Sequence, residues 1–219
     1  MQTRFADRYA AGRRLAGALQ AYRGRPNVVV LALPRGGVPV GYEVAKALGA
    51  KFDILIVRKL GLPQHPELAM GAIASGGVVD LNREVIAMAG VRQRDLDEVM
   101  AEEIHELEQR ESRYRGARAV VPVEGCTVIV VDDGLATGSS MRAALMALQS
   151  RRPARIIVAV PVAPTDAARR LQDVADEFVS VLCPVHFEAV GQFYKDFGQT
   201  SDDEVRMLLH QFDAAGASR

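Results

Sequence analysis

The chain of 219 residues has no tryptophan, and tyrosine and phenylalanine together make up only 5% of it. A core without large aromatics is built from Val, Ile, Leu and Ala, which suits a mostly parallel sheet covered by helices. It also makes each aromatic side chain a residue to account for. Cysteine is almost missing. Cys126 and Cys183 stand far apart without CxxC spacing, which argues against a disulfide framework and a cysteine zinc site. Cys126 borders a strand-like run and reads as a buried, inert thiol. Net charge is lacking as well, because 27 Lys and Arg balance 27 Asp and Glu. That leaves no general attraction to nucleic acid or anionic membrane, though a local basic site for a phosphorylated small molecule stays open. No apolar run reaches the length of a membrane span, and the opening MQTRFADRYA lacks the apolar stretch of a secretory signal. The chain reads as cytoplasmic, with no membrane or nucleic-acid partner.

The length suits one α/β domain, 1–219, with attachments. Residues 3–23 carry Leu15, Ala18, Leu19 and Tyr22 at helical spacing. Asn27–Leu33 is a continuous β-branched run, the mark of a strand buried on both faces. Pro34-Arg35-Gly36-Gly37 breaks it, a helix is predicted over Val38–Leu48, and a second strand over Phe52–Val57. Residues 58–68 hold two prolines and a glycine without periodicity, so a long loop is expected. Met70–Ala74 and Val78–Leu81 flank Ser75-Gly76-Gly77 as a hairpin. Residues 83–118 interrupt the strand–helix rhythm with dense charge and read as a helical insertion of one or two helices, largely solvated. Within it Leu96, Met100, Ile104 and Leu107 form one apolar stripe. Further strands are expected at Thr127–Val131, Ile156–Val160 and Phe178–Leu182. Helices are expected after Ser140 and over Pro164–Val174 and Asp202–Phe212, the last capped by Ser201. The alternation implies an open parallel sheet flanked by helices, with right-handed crossovers.

The chemistry concentrates in Val128–Ser140, where a strand ends, a Gly/Thr/Ser loop turns and a helix begins. Backbone N–H groups in such a turn form a nest for an anion, and the helix N-terminus adds partial positive charge. Thr137, Ser139 and Ser140 offer hydroxyls, and Gly138 permits a close backbone approach. Asp132 and Asp133, at the other end, repel phosphate and suit vicinal hydroxyls. Inside a strand they would face opposite sides of the sheet, so both must leave the ladder to reach one ligand. A ribose 5-phosphate has this polarity. The Gly-Lys-Ser/Thr of a P-loop and the G-x-G-x-x-G of a dinucleotide site are both absent.

VIVVDDGLATGSS closely resembles the 5-phosphoribosyl-1-pyrophosphate (PRPP) motif of type I phosphoribosyltransferases. The resemblance implies that Asp132 and Asp133 hold the ribose hydroxyls, and that Gly134, Leu135, Ala136, Thr137, Gly138, Ser139 and Ser140 form the loop around the 5-phosphate. Arg35-Gly36-Gly37 looks like the family's diphosphate loop. Arg58-Lys59 looks like the pair that opens its mobile loop, so the implied catalytic set is Arg58, Lys59 and Asp133. The likeness runs over roughly Asn27–Val160. Ala136 stands where hypoxanthine-type enzymes carry an Asp, as in the orotate and adenine branches. The implied reaction uses PRPP and Mg²⁺, the metal held mainly by substrate and water rather than by the protein alone, and passes ribose 5-phosphate to a nitrogenous base or similar acceptor. The implied fold includes a small hood from terminal segments, here 183–219, where Tyr194 and Phe197 are candidates to stack on a base. The family also implies a homodimer; the 83–118 stripe can pack on the chain's own core, on a partner helix within the insertion, or at the edge of that contact, and composition does not choose among these. Two other functions fit the same anion nest, a non-catalytic PRPP sensor and a phosphate-releasing hydrolase. Balanced charge and the presence of Arg35 and Arg58-Lys59 favour catalysis over sensing. His105 and His210 read as surface residues and His65 as a solvated loop residue, while His186, after Pro184, is left open between the surface and the site.

Overall fold

An apolar run without alternation has no polar face to turn to water, so it pairs with its like and takes cover on both sides. The computed structural model describes residues 4–116 and 118–217, with the side chains of 216 and 217 excluded. The predicted start of the first helix at residue 3, Ala117 within the insertion and the last two residues of 183–219 lie outside the described residues. In chain order the elements are α1 (Arg8–Ala18), β1 (Val28–Ala32), α2 (Gly37–Leu48), β2 (Lys51–Ile54), β3 (Val57–Leu62), β4 (His65–Ala74), β5 (Val78–Leu81), α3 (Arg83–Met88) and α4 (Gln93–Arg115). Then follow β6 (Thr127–Val131), α5 (Ser139–Gln149), β7 (Arg155–Val162), α6 (Ala167–Leu171), β8 (Glu177–Leu182) and α7 (Asp202–Ala217). Ser201 caps α7 by accepting from the Glu204 N–H at 3.1 Å. The predicted helix at Pro164–Val174 is shorter than its apolar spacing suggested.

Five strands form one parallel sheet in the order β2-β1-β6-β7-β8. From β1 the chain winds outward to β2, and from β6 it winds the other way to β7 and β8. The direction therefore reverses between β1 and β6, whose ends lie level at Ala32 and Val131. Open α/β sheets bind ligands in the crevice at such a switch point. One face of the sheet is covered by α1, α2 and α7, through Leu15, Val44 and Leu208 among others, and α4 joins the same core with Leu107 while packing on β3, β4 and α7. The opposite face is covered by α5 and α6, through Leu145, Leu148 and Leu171.

Residues 58–68 are not a loop. β3 and β4 pair antiparallel across a two-residue Pro63-Gln64 turn, and β5 extends them to a second, three-stranded sheet. The prolines are accommodated for two reasons. Pro63 occupies the turn, and Pro66 lies on a solvated part of β4 that β5 does not reach. The ladder also shifts register at Gly61. A side chain there would run into Pro66, so the glycine is what lets the irregular strands close.

The apolar stripe of α4 packs on its own chain. Leu96 and Leu107 are buried, and Met100 and Ile104 rest half-buried on the main core. Much of the stripe is thus used within the chain, while Met100 and Ile104 keep part of their surface open. Cys126 is half-buried rather than enclosed, and Cys183 is exposed. All four histidines are exposed. Among the described residues no helix is long and apolar enough to cross a membrane.

Candidate functional site

β6 ends at Val131, so Asp132 and Asp133 both stand beyond the ladder. Their side chains nevertheless diverge. Asp132 lines a cavity of about 420 Å³ together with Leu33, Pro34, Arg35, Ser140 and other residues. Asp133 turns away and accepts from Arg8 Nε at 2.8 Å. Arg8 is fixed in turn. It stacks over Phe197, 4.1 Å from the ring centroid, and donates to the Gly198 carbonyl.

The two carboxylates sit close in a poorly hydrated place. Burial first, then repulsion from Asp133, pushes the Asp132 carboxyl well above the ordinary carboxylate range. Burial also raises Asp133, and the hydrogen bond from Arg8 opposes that rise. These two share the switch point with the turn after β1. The Pro34–Arg35 peptide is cis. A Cβ on Gly37 would lie 2.7 Å from the Val131 carbonyl oxygen and 2.9 Å from Asp132 Cα. One on Gly36 would collide with the Asp133 carboxylate. Gly37 is needed because the β1 and β6 turns touch there backbone to backbone, and Gly36 leaves room for the Asp133 carboxylate that Arg8 holds.

The turn from β6 into α5 is held by Leu135, whose N–H donates to Val162 O at 2.9 Å and whose side chain is buried. That leaves Ala136, Thr137, Ser139 and Ser140 exposed at the open start of α5. Gly138, at φ +82°, makes the left-handed turn that starts the helix. Thr137 and Ser139 hydroxyls lie 3.2 Å apart.

A phosphoribosyl transferase domain model matches residues 2–197. The chain belongs to the phosphoribosyl transferase family. Two Mycobacterium tuberculosis proteins, each named provisionally as a phosphoribosyl transferase, are 45% identical to it over 217 residues, 97% of this chain. The chain spans about half the length of these relatives, 49% of each. The crystal structure of TT1426 from Thermus thermophilus is 43% identical, covers 96% of this chain and 99% of its own, and superposes with a TM-score of 0.86. That of AQ2163 from Aquifex aeolicus, 12% identical over 91% of this chain and 84% of its own, shares the fold alone at a TM-score of 0.51. The five-stranded parallel sheet flanked by helices is the type I phosphoribosyltransferase architecture.

Against that family pattern the structure brings Asp132, Ser140 and Arg35 to one cavity. It places Arg58 and Lys59 on β3, away from the cavity lining and with partners of their own. Arg58 pairs with Glu103 of α4, and Lys59 donates to the Glu67 carbonyl at 3.0 Å. Tyr194 is buried against Phe5 and Phe197, and its hydroxyl donates to the Asp133 carbonyl oxygen. Phe197 is partly open, with Arg8 on its face. Neither ring lines the cavity.

Five polar residues at the site were not singled out from sequence: Arg8, Arg110, Arg113, Tyr114 and Asp202. Arg110, Arg113 and Tyr114 come from the last turns of α4 and Asp202 from the start of α7. The signal for the first three was a helix face at i, i+3 and i+4, but it lay inside a run crowded with other charges. Arg8 and Asp202 carried no local signal.

Proposed function

We propose that this chain binds PRPP across the carboxyl ends of β1 and β6 and transfers ribose 5-phosphate to a nitrogenous base or similar acceptor, releasing diphosphate. The observation that carries this reading is the polarity of one cavity at the switch point. Asp132, Ser140 and Arg35 line the same cavity, a mix of carboxylate, hydroxyl and guanidinium that suits a ligand carrying hydroxyls, phosphate and diphosphate.

In this reading Ala136–Ser140 hold the 5-phosphate at the N-terminus of α5, where backbone dipoles favour an anion. Asp132 and Asp133 take the ribose hydroxyls. Asp132 does so from the cavity wall, while Arg8 keeps Asp133 in place. The bond from C1 to the diphosphate oxygen breaks, and its electron pair leaves with diphosphate. The acceptor nitrogen forms the new bond to C1 and gives its proton to solvent. Positive charge gathers on the ribose ring as the old bond breaks, and the nearby carboxylates stabilise it. Arg35 donates to the departing diphosphate. No covalent nucleophile of the protein is required, so catalysis rests on positioning and charge.

Mg²⁺ fits this donor set. The carboxylate of Asp132 is a hard oxygen donor facing the cavity. That suits a cation that draws most ligands from substrate and water. When bound, it supplies charge neutralisation on the diphosphate. Assembly as a homodimer belongs to the same proposal on family grounds, and sedimentation at micromolar concentration checks it.

The test of the PRPP site is calorimetry of Asp133→Asn. Binding of PRPP should weaken more than binding of inorganic phosphate, and equal losses for the two ligands would remove the ribose assignment. A panel of bases with PRPP and Mg²⁺, read by mass spectrometry for diphosphate release, identifies the acceptor.

A further inference from the structure

Part of the cavity wall is built by the insertion. Arg110, Arg113 and Tyr114 of α4 line it, next to Arg35 and Asp202. The Asp202 carboxylate is the meeting point. One oxygen accepts from Arg113 Nη1 at 2.9 Å. The other accepts from the Tyr114 hydroxyl at 2.9 Å and lies 3.5 Å from Arg35 Nη1. A helix in the insertion and the turn after β1 therefore aim three donors at one carboxylate from a third element. The Arg110 side chain also lines the cavity and makes no hydrogen bond or ion pair among the described residues. The lining carries three guanidinium groups, Arg35, Arg110 and Arg113, against two carboxylates, Asp132 and Asp202.

Such a convergence is the geometry of an anion site, and planar guanidinium groups suit the paired oxygens of a phosphate. A side-chain carboxylate is a modest occupant for it. Asp202 keeps 27% of its side chain exposed, and ion pairs so open to water are worth little. A diphosphate brings more charge and more acceptor oxygens to the same donors. The hydrogen bonds from Arg113 and Tyr114 hold the Asp202 carboxyl below the ordinary carboxylate range, so at neutral pH it is itself an anion competing for the place. Arg58 and Lys59, the cations expected to meet a leaving diphosphate, are paired elsewhere.

We infer that Arg110, Arg113 and Tyr114 complete, with Arg35, an anion subsite for the diphosphate end of PRPP, and that the Asp202 carboxylate is its resident occupant, displaced when diphosphate arrives. This rests on the PRPP reading given above. The insertion thereby becomes part of the binding site. Asp202 has a second consequence: it holds the α4 cations in position while the site is empty and sets a threshold that weakly charged anions do not overcome.

Calorimetry with two probes, inorganic diphosphate and ribose 5-phosphate, separates the claims. Arg113→Gln should bind diphosphate about tenfold more weakly, the loss expected for a hydrogen bond to a charged group, with part of the affinity recovered in Arg113→Lys. Arg110→Gln, which has no internal partner to lose, should weaken diphosphate in the same direction. Asp202→Asn should bind diphosphate several-fold more tightly, because the competing charge is gone. Ribose 5-phosphate affinity should stay at the wild-type value in all four variants, which also shows that they fold. If Asp202→Asn binds diphosphate no more tightly than the wild type, displacement is wrong. If Arg110→Gln or Arg113→Gln leaves diphosphate affinity unchanged, the subsite is wrong. Failure of ribose 5-phosphate to bind the wild type would overturn the PRPP reading itself.

Discussion

Arg8 and Asp133, 125 residues apart in the chain, form an ion pair of 2.8 Å in which the side chains are only 12% and 15% exposed. The pair joins the first helix to the turn that follows the central strand. Because Phe197 covers the guanidinium and Tyr194 reaches the Asp133 carbonyl, the C-terminal segment closes over the same point. The terminal segments thus act on the candidate site by fixing one of its two carboxylates.

Replacing Arg8 with Gln leaves Asp133 beside Asp132 with no cation to offset either. The expected loss is about 2 kcal/mol of stability at neutral pH, since an unpaired charge in a largely buried place is costly. Below the carboxylate range Asp133 is protonated and the difference should shrink. Urea denaturation at neutral and acid pH measures both, and a variant as stable as the wild type at neutral pH would refute the role.

The raised Asp132 carboxyl predicts the sign of a pH dependence. In the folded chain it holds its proton to a higher pH than in the unfolded chain, where it titrates in the ordinary range. Its contribution to stability is therefore complete below about pH 4 and is lost as pH rises through the elevated folded value. Asp132→Asn carries no charge to bury. It should flatten this slope and be more stable than the wild type at neutral pH, while binding PRPP more weakly. Denaturation midpoints followed across that window decide the matter, and an unchanged slope would count against it.

Gly37→Ala tests the contact between the two turns. The added carbon meets the Val131 carbonyl oxygen at 2.7 Å and Asp132 Cα at 2.9 Å, and neither is a flexible side-chain end that can step aside. Backbone must shift, at a cost of about 1–3 kcal/mol. Thermal unfolding should report the loss, and ribose 5-phosphate should bind more weakly because Asp132 moves. A substitution that changed neither would show that the turns are looser than their geometry indicates.

Asp53 anchors the end of the insertion. It is fully buried and accepts from Arg115 Nη1 and Arg118 Nη1 at 2.6 Å each and from the Val121 N–H at 3.0 Å. Asp53→Asn takes the shared counter-charge from two guanidinium groups, and a loss of about 3–5 kcal/mol is expected. Amide exchange over residues 110–116 should quicken with it, because that network ties α4 to β2. Exchange confined to wild-type rates would separate the anchor from the helix it is said to hold.

The amino-acid sequence by itself determined the parallel sheet and the acidic-to-phosphate turn. Val28–Ala32 and Val128–Val131 are uninterrupted apolar runs, and a strand with no polar face has only one environment open to it. Asp132–Ser140 is contiguous, so its chemistry could be read in order. Only the tertiary structure decided which charges meet. The hairpin of β3 and β4 was hidden because its tip faces water and so lacks alternation, and because its prolines stand where no ladder bond is asked of them. Arg8, Arg113 and Asp202 reach the site from α1, α4 and α7, three helices that share one hydrophobic core. Helical periodicity shows which side of each helix is apolar, but the partner across the contact depends on how all three settle on that core, and that information is spread over the whole chain.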